Sequence, residues 1–269
     1  MERECWILYY MEDYQKNRRF VEIIESRLEK ENILTKVVVL DNDNIDELLK
    51  KDVPQVVINR SRNCEIAERM EREGMKVINN SFVTKIANDK LYTYEFLKNK
   101  IEFMPLLPED GEYPYIIKSR TGHGGNQVYL VQNEQERKKA VTQLKGERYI
   151  CQKYCNEPGK DLRVYVMGGE IVTAMLRQSQ KGFKSNYSLG GSAEEYILSE
   201  EEKDIVYKIS GMMDIDYGGI DFIFHDGKLM FNEIEDAVGA RMVYENTEID
   251  IVGLFADYII EKVREGAGM

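Results

Sequence analysis

Over residues 1–80 four apolar runs, CWILYY, TKVVVL, PQVVIN and KVIN, alternate with single helical stretches. Strands joined by one helix each lie parallel, because a parallel return needs a crossover long enough to be a helix. The pattern confines this part of the chain to a parallel sheet with helices on its faces. The first crossover, YQKNRRFVEIIESRLEKEN, places Phe20, Ile23, Ile24 and Leu28 on one helical stripe. IDELLKK reads as a second, short helix and NCEIAERMEREG as a third, ended at Gly74.

Beyond residue 80 the alternation stops. SFVTKIANDKLYTYEFLKNKI reads as helical and EFMPLLPEDGEYP as a proline-containing link. A strand, a glycine-rich loop and a strand follow, then a charged helix, NEQERKKAVTQLK, and the strand RYICQKY. DLRVYVMGGEIVTAMLRQ predicts a hairpin around Gly168-Gly169, and YGGIDFIFHDGKLMFNEIED another around Asp226-Gly227. Between them SEEEKDIVYKISGMM is a helix with Ser199 as N-cap and Glu202 three residues on, a capping box. EIDIVGLFADYIIEKVREG reads as a closing helix. The fold class is α/β, parallel at first and α+β after it, with divisions at 1–80, 81–150 and 151–269.

Composition narrows the function. A net charge of −11 over 269 residues argues against a nucleic-acid partner, which needs a basic face. A small anionic ligand stays open, because a few local Lys and Arg invert the field inside a cleft. No run reaches the roughly 18 apolar residues of a membrane span. MERECWILYYMED has acidic residues beside its apolar run and no small-residue cleavage site, so no membrane partner is expected and the expected address is cytoplasmic. Four cysteines and two histidines lack the C-x2-C pairs of a zinc site. Cys151 and Cys155, in RYICQKYCNE, read as small apolar residues.

Residues 113–133, YPYIIKSRTGHGGNQVYLVQN, hold the glycine-rich loop. The Walker string G-x4-G-K-[ST] is absent, and a dinucleotide fingerprint opens a helix. GHGGNQ is instead followed by β-branched and aromatic VYLVQ, a strand. Such a hairpin tip is flexible and its N–H groups can fold over an anion. Alone it is equally a plain turn. Lys118, in the apolar strand leading into it, favours the anion, since a lysine there needs an anionic partner.

On the last hairpin Asp221 interrupts one apolar arm, and Glu233 and Glu235 the other. Period two puts Glu233 and Glu235 on one face, which Asp221 reaches if the arms pair around Asp226-Gly227. Three such carboxylates repel one another by an amount on the order of several kcal/mol unless a divalent cation joins them. Mg2+ held by a few carboxylates plus phosphates is the usual form. The alternative is an edge strand whose acids face water. A lysine before a glycine hairpin, with D…E-x-E downstream on a strand pair, describes an ATP–Mg2+ site.

These ordered motifs resemble the ATP-grasp ligases, and among them the RimK-like carboxylate–amine ligases, from about Asn79 to the C-terminal helix. The resemblance implies an N-terminal parallel-sheet lobe followed by a two-lobed ATP-grasp domain, with ATP between the last two lobes. NNSFVTKIANDKLYTYEFL is similar to the family's N-S…DK-x-x-T helix, making Lys90 and Lys118 the phosphate lysines. GHGGNQVYLV matches its mobile lid, with Gly124 and Gly125 over the nucleotide. YICQKYCNEPGKDLRVYVMGGEIVTAMLRQ resembles the hinge and the hairpin after it. That match implies adenine on the backbone of Lys153 and Tyr154, ribose on Asp161, and Arg163 and Arg177 facing the phosphates and the acyl intermediate. FKSNYSLGGSAEEY matches R-S-N-x-x-x-G-G and places Lys184, Ser185 and Asn186 at the nucleotide; Asp221, Glu233 and Glu235 fall on the ligands of Mg2+, or of Mn2+ in its stead.

Three departures stand out. Gln152-Lys153 replaces the hinge's usual Gln-Glu, EIE replaces the usual E-x-N, and DAVGARMVY replaces an Asn-Pro-Gly-like continuation on the acceptor side. The resemblance implies an ADP-forming ligase joining an amino acid or peptide carboxylate to an amine through an acylphosphate. A kinase on the same scaffold and a nucleotide-binding regulator without turnover are the alternatives, and the intact lysines and carboxylates speak against the regulator. A homo-oligomer is common among similar proteins. Outside the motifs, His123 and His225 read as loop and turn residues. NRSRN puts Arg60 and Arg62 at the carboxyl edge of the first sheet, where open α/β sheets hold ligands, so their partner is a substrate carboxylate or solvent.

Overall fold

The four apolar runs of the first third form β1 (Arg3–Tyr9), β2 (Ile33–Val39), β3 (Val56–Asn59) and β4 (Lys76–Ile78), all parallel, in the order β2-β1-β3-β4. The computed structural model describes residues 3–41, 45–51, 53–125, 127–179, 182–185 and 191–266. β1 is buried on both faces: Cys5, Ile7 and Tyr9 enter one core, Trp6 and Leu8 another. That two-sided burial is why the run lacks polar alternation. The crossover expected as one helix is two, α1 (Met11–Lys16) and α2 (Arg18–Lys30), broken at Asn17, whose side-chain amide turns back to the Asp13 carbonyl at 2.8 Å. α3 (Ile45–Leu49) and α4 (Cys64–Arg72) complete the lobe.

The long helical stretch after residue 80 is likewise divided, into α5 (Ser81–Ala87) and α6 (Lys90–Leu97). Asp89 causes the break. Its carboxylate caps α6 by accepting from Leu91 and Tyr92 N–H, and it also pairs with Arg120 of the glycine-rich loop at 2.6 and 2.9 Å. Asp89→Ala is expected to cost about 1–2 kcal/mol of stability, seen as a lower urea midpoint. Asp89→Asn, which keeps the capping oxygen, should recover most of that loss.

The middle sheet joins β5 (Leu106–Leu107), β6 (Tyr115–Ser119), β7 (Val128–Val131) and β8 (Tyr149–Lys153) in the order β5-β8-β6-β7, backed by α7 (Glu134–Gln143). It runs on to Lys153, three residues past the junction expected at 150. The third sheet is antiparallel, in the order β11-β10-β9-β12-β13, built from β9 (Glu157–Met167), β10 (Glu170–Gln178), β11 (Ser192–Glu195), β12 (Tyr217–His225) and β13 (Lys228–Glu235). Both predicted hairpins are present. The turn residues Asp226 and Gly227 have φ of 51° and 70°, the left-handed pair that a two-residue hairpin of this type needs.

α8 (Glu200–Met213) carries the capping box of Ser199 and Glu202. Val83, Ala87, Tyr94 and Leu97 of α5 and α6 share a core with Val164, Ile220 and Phe222 of the third sheet, so these helices pack on the last third. α9 (Arg241–Asn246) leads to α10 (Ile251–Gly266), whose Phe255, Ile259 and Val263 meet Phe20, Ile24 and Leu28 of α2. The last helix thereby ties the first lobe to the third sheet. Among the described residues no helix is long and apolar enough to cross a membrane.

Candidate functional site

One cavity lies between the middle and third sheets, and most of the sequence-selected residues line it. Lys118 reaches it from β6, Gly122 and Gly125 from the loop after β6, Lys153 and Tyr154 from the end of β8, and Asp161 from β9. Lys90, the first residue of α6, enters opposite Glu233 of β13, with 3.1 Å between ammonium and carboxylate. Lys90 also donates to the Gly122 carbonyl at 2.6 Å, and Lys184 to the Gly125 carbonyl at 2.8 Å. Two cavity lysines therefore tie down the glycine-rich loop. Ser185 is buried in the same wall; Asn186 lies outside the described residues.

Lys118 is buried and donates to the Tyr94 hydroxyl at 2.7 Å and to Asn232 Oδ1 at 3.0 Å. Gln152 holds Tyr94 in place, donating to the same hydroxyl at 3.0 Å, while Tyr94 donates to the Asn232 carbonyl at 2.5 Å. Both hydrogen-bond partners of the ammonium are neutral oxygens. Burial, helped by the Lys90 charge, pushes Lys118 down to about 7 against the pull of Glu233. A polyphosphate beside it favours the charged form and raises its pKa. Nucleotide binding is therefore expected to take up a proton near pH 7 and to weaken as pH rises past it, since the free protein then loses the proton that the complex keeps. Calorimetry in buffers of different ionisation enthalpy reads that uptake; an affinity independent of pH between about 6 and 9 would contradict it.

The carboxylates converge because a bulge between Asp221 and Phe222 shifts the hairpin by one residue; the register of the two-residue turn alone would set Asp221 opposite Asn232. Asp221 lies opposite Glu233 and Gly219 opposite Glu235, so all three acids share one face. Their oxygens come within 4.8 Å of one another. The same bulge makes Asn232 the extra residue of β13, and its side chain is the one that meets Lys118. Arg163 grips Asp221 with two bonds of 2.7 Å and reaches Glu235 at 3.3 Å. Arg177 bridges Asp161, at 2.5 and 2.9 Å, to Asp221, at 2.7 Å.

Charge balance differs across the three acids. Burial raises a carboxyl, yet Arg163 and Arg177 hold Asp221 down at about 2. Burial works against Glu233 too, and Lys90 overcomes it, so that group is lowered. Glu235 is raised: burial and the charges of Glu233 and Asp221 outweigh Arg163. It is the acid left under-compensated, and the cluster of three carboxylates to which it belongs suits a hard divalent cation.

The remaining sequence-selected groups have partners of their own. The Lys153 N–H donates to the Pro105 carbonyl at 2.9 Å, because the chain before β5 runs alongside β8, so that hinge donor is already engaged. Arg60 is buried rather than facing a ligand; it donates to the Tyr9 hydroxyl at 3.1 Å and the Val238 carbonyl at 2.9 Å, stacked on Phe20. Arg62 pairs with Asp13 at 2.8 Å. His225 accepts from the Asn156 N–H, as a turn residue would. His123 in the loop is kept neutral, since burial and the Arg62 and Lys90 charges push it down to about 4. All four cysteines are free, with Cys151 buried and Cys155 half-buried in the cavity wall. Tyr94, Gln152 and Asn232 are site residues that sequence reasoning passed over; Asn232, a polar break in an apolar arm, was the one visible signal.

The chain is similar in sequence and in fold to several known proteins. Probable alpha-L-glutamate ligase 2 of Hahella chejuensis is 27% identical over 220 residues, 76% of this chain and 72% of that one. The MG011 homolog of Mycoplasma pneumoniae is 28% identical over 246 residues, 89% of this chain and 86% of its own. Among solved structures, D-alanine--D-alanine ligase from Bacillus anthracis has the same fold, with a TM-score of 0.75 at 15% identity over 100% of this chain and 99% of that one. Residues 83–259 match the RimK-like ATP-grasp domain, and the chain belongs to that family.

Proposed function

We propose that the protein is an ATP-dependent carboxylate–amine ligase that activates a carboxylate as its acylphosphate, releases ADP and phosphate, and forms an amide. The observation that carries this reading is the meeting of Lys90, Lys118, Lys184 and Glu233 around one cavity, with oxygens of Asp221 and Glu235 within 4.8 Å of those of Glu233. On this reading the lysines hold the phosphates, Gly124 and Gly125 close over them, and Asp161 and Ser185 hold the ribose side. The Lys153 carbonyl and the Tyr154 backbone serve the adenine edge. Asp221, Glu233 and Glu235 hold Mg2+, which when bound neutralises charge on the transferring phosphoryl group.

Arg177 lines both this cavity and the neighbouring one that holds Arg163 and Glu235, so it stands where phosphate and acyl carbon would meet. Arg163 and Arg177 then serve as donors to the oxyanion formed when the amine attacks. Closure of the loop keeps water from the acylphosphate. The glutamate ligase among the relatives favours an amino acid as one substrate, and a cytoplasmic site gives access to ATP. ADP release screened over acids and amines tests the reading. Release that requires both an acid and an amine supports it. Release with a hydroxyl acceptor points to a kinase, and none with any pair points to a non-catalytic binder.

A further inference from the structure

The hairpin of Asp221, Glu233 and Glu235 is closed at one end by the Asp226-Gly227 turn. The bulge lies between that turn and the acids, so the turn does not set the register they use. Only three residue pairs, Gly219–Glu235, Ile220–Ile234 and Asp221–Glu233, stand beyond the bulge. Past them the open end is held by side chains. Asn79, directly after β4, bonds both arms. It accepts from the Tyr217 N–H at 2.9 Å and donates to the Tyr217 carbonyl at 2.7 Å, at the start of β12. It also donates at 2.9 Å to Oδ1 of Asp236, the residue just past β13. Oδ2 of Asp236 accepts from Asn88 at 3.1 Å, whose amide also donates to the Thr84 carbonyl at 2.9 Å.

Asn79 and Asp236 are both buried. The Tyr217 N–H fixes which end of Asn79 is oxygen, and two acceptors fix Asn88 likewise, so Asp236 meets two donors, as a carboxylate requires. Asp236 follows Glu235, and strand alternation sends its side chain away from the face of the clustered acids. Asn88 ends α5 two residues ahead of Lys90, which faces Glu233 at 3.1 Å. One buried carboxylate thus links the open end of the hairpin to the turn that delivers Lys90. Asp236 also opens DAVGARMVY, where the chain departs from the family's continuation.

We propose that Asp236 is a positioning residue: it holds the acid-bearing end of the hairpin in its shifted register and sets Lys90 against Glu233. The inference rests on the metal-holding part of the reading above. Residues behind metal ligands are typically worth about 10–100-fold in metal affinity. The full chain is titrated with Mn2+ alone, followed by electron paramagnetic resonance, and separately with ATP by calorimetry. Asp236→Asn is nearly isosteric, but it turns one of two acceptors into a donor that faces another donor. It is expected to weaken Mn2+ binding by about tenfold or more. Asn88→Ala cuts the tie toward Lys90 and should weaken ATP binding while leaving Mn2+ affinity unchanged. The double variant should bind ATP no more weakly than the weaker of the two single variants, because both act through one contact. A merely structural role would lower Tm in both variants without that division between metal and nucleotide. Unchanged Mn2+ affinity in a folded Asp236→Asn protein would overturn the proposal. Should that variant not fold, as circular dichroism shows, Asn88→Ala decides, and ATP affinity equal to the wild type's overturns it. A wild type that binds no Mn2+ overturns it together with the metal reading. No ADP from any acid and amine sinks the ligase reading alone, since both titrations proceed without turnover.

Discussion

Glu233→Gln is expected to lower ADP formation by roughly 10³-fold or more, the rate equivalent of several kcal/mol of lost transition-state charge stabilisation. The substitution is nearly isosteric, so the core around β13 has no reason to rearrange. What it removes is the negative charge that faces Asp221 across the hairpin and pairs with Lys90 at 3.1 Å. One of three cation ligands is thereby weakened, and a phosphate-side lysine loses the partner that aims it. Weaker Mn2+ binding by electron paramagnetic resonance should accompany the loss. A Glu233→Gln protein that is folded and fully active would rule out the metal role.

The second large effect is structural. Arg177 is 3% exposed and compensates two buried acids, Asp161 and Asp221. Arg177→Gln leaves both with one cation fewer, and breaking a buried pair from one side costs about 3–5 kcal/mol. For a chain of this size that is a fall in Tm on the order of 10 °C. A divalent cation can replace part of the missing charge, so Mg2+ should raise the variant's Tm more than the wild type's. Equal Mg2+ shifts would mean that the cluster does not hold the ion. Unchanged Tm in the variant would mean that the Asp161–Arg177–Asp221 chain contributes little.

Glu233 and Glu235 were legible as one face from their period-two spacing, whereas the register set by the two-residue Asp-Gly turn alone would put Asp221 opposite Asn232, and only the bulge brings it to that face. Lys118 stood out as a charge inside an apolar strand, and the parallel lobe as strands spaced by single helices. The rest was hidden for particular reasons. A bulge changes pairing by one residue without a sequence mark, so Asn232 could not be matched to Lys118. The Tyr94–Gln152 support joins residues 58 positions apart. β5, of two residues, and β11, of four, are too short to show a period. The break between α5 and α6 was signalled by Asp89, a good N-cap, but the apolar spacing on either side masked it. Arg60 looked like a ligand residue because its Val238 partner comes from 178 positions away.

Trapping the activated carboxylate tests the ligase chemistry directly. With ATP, Mg2+ and an accepted acid, hydroxylamine should intercept the acylphosphate and give a hydroxamate in step with ADP. Glu233→Gln should give neither. ADP released without hydroxamate, from a protein that turns over freely, would contradict an acylphosphate intermediate and with it the proposed reaction.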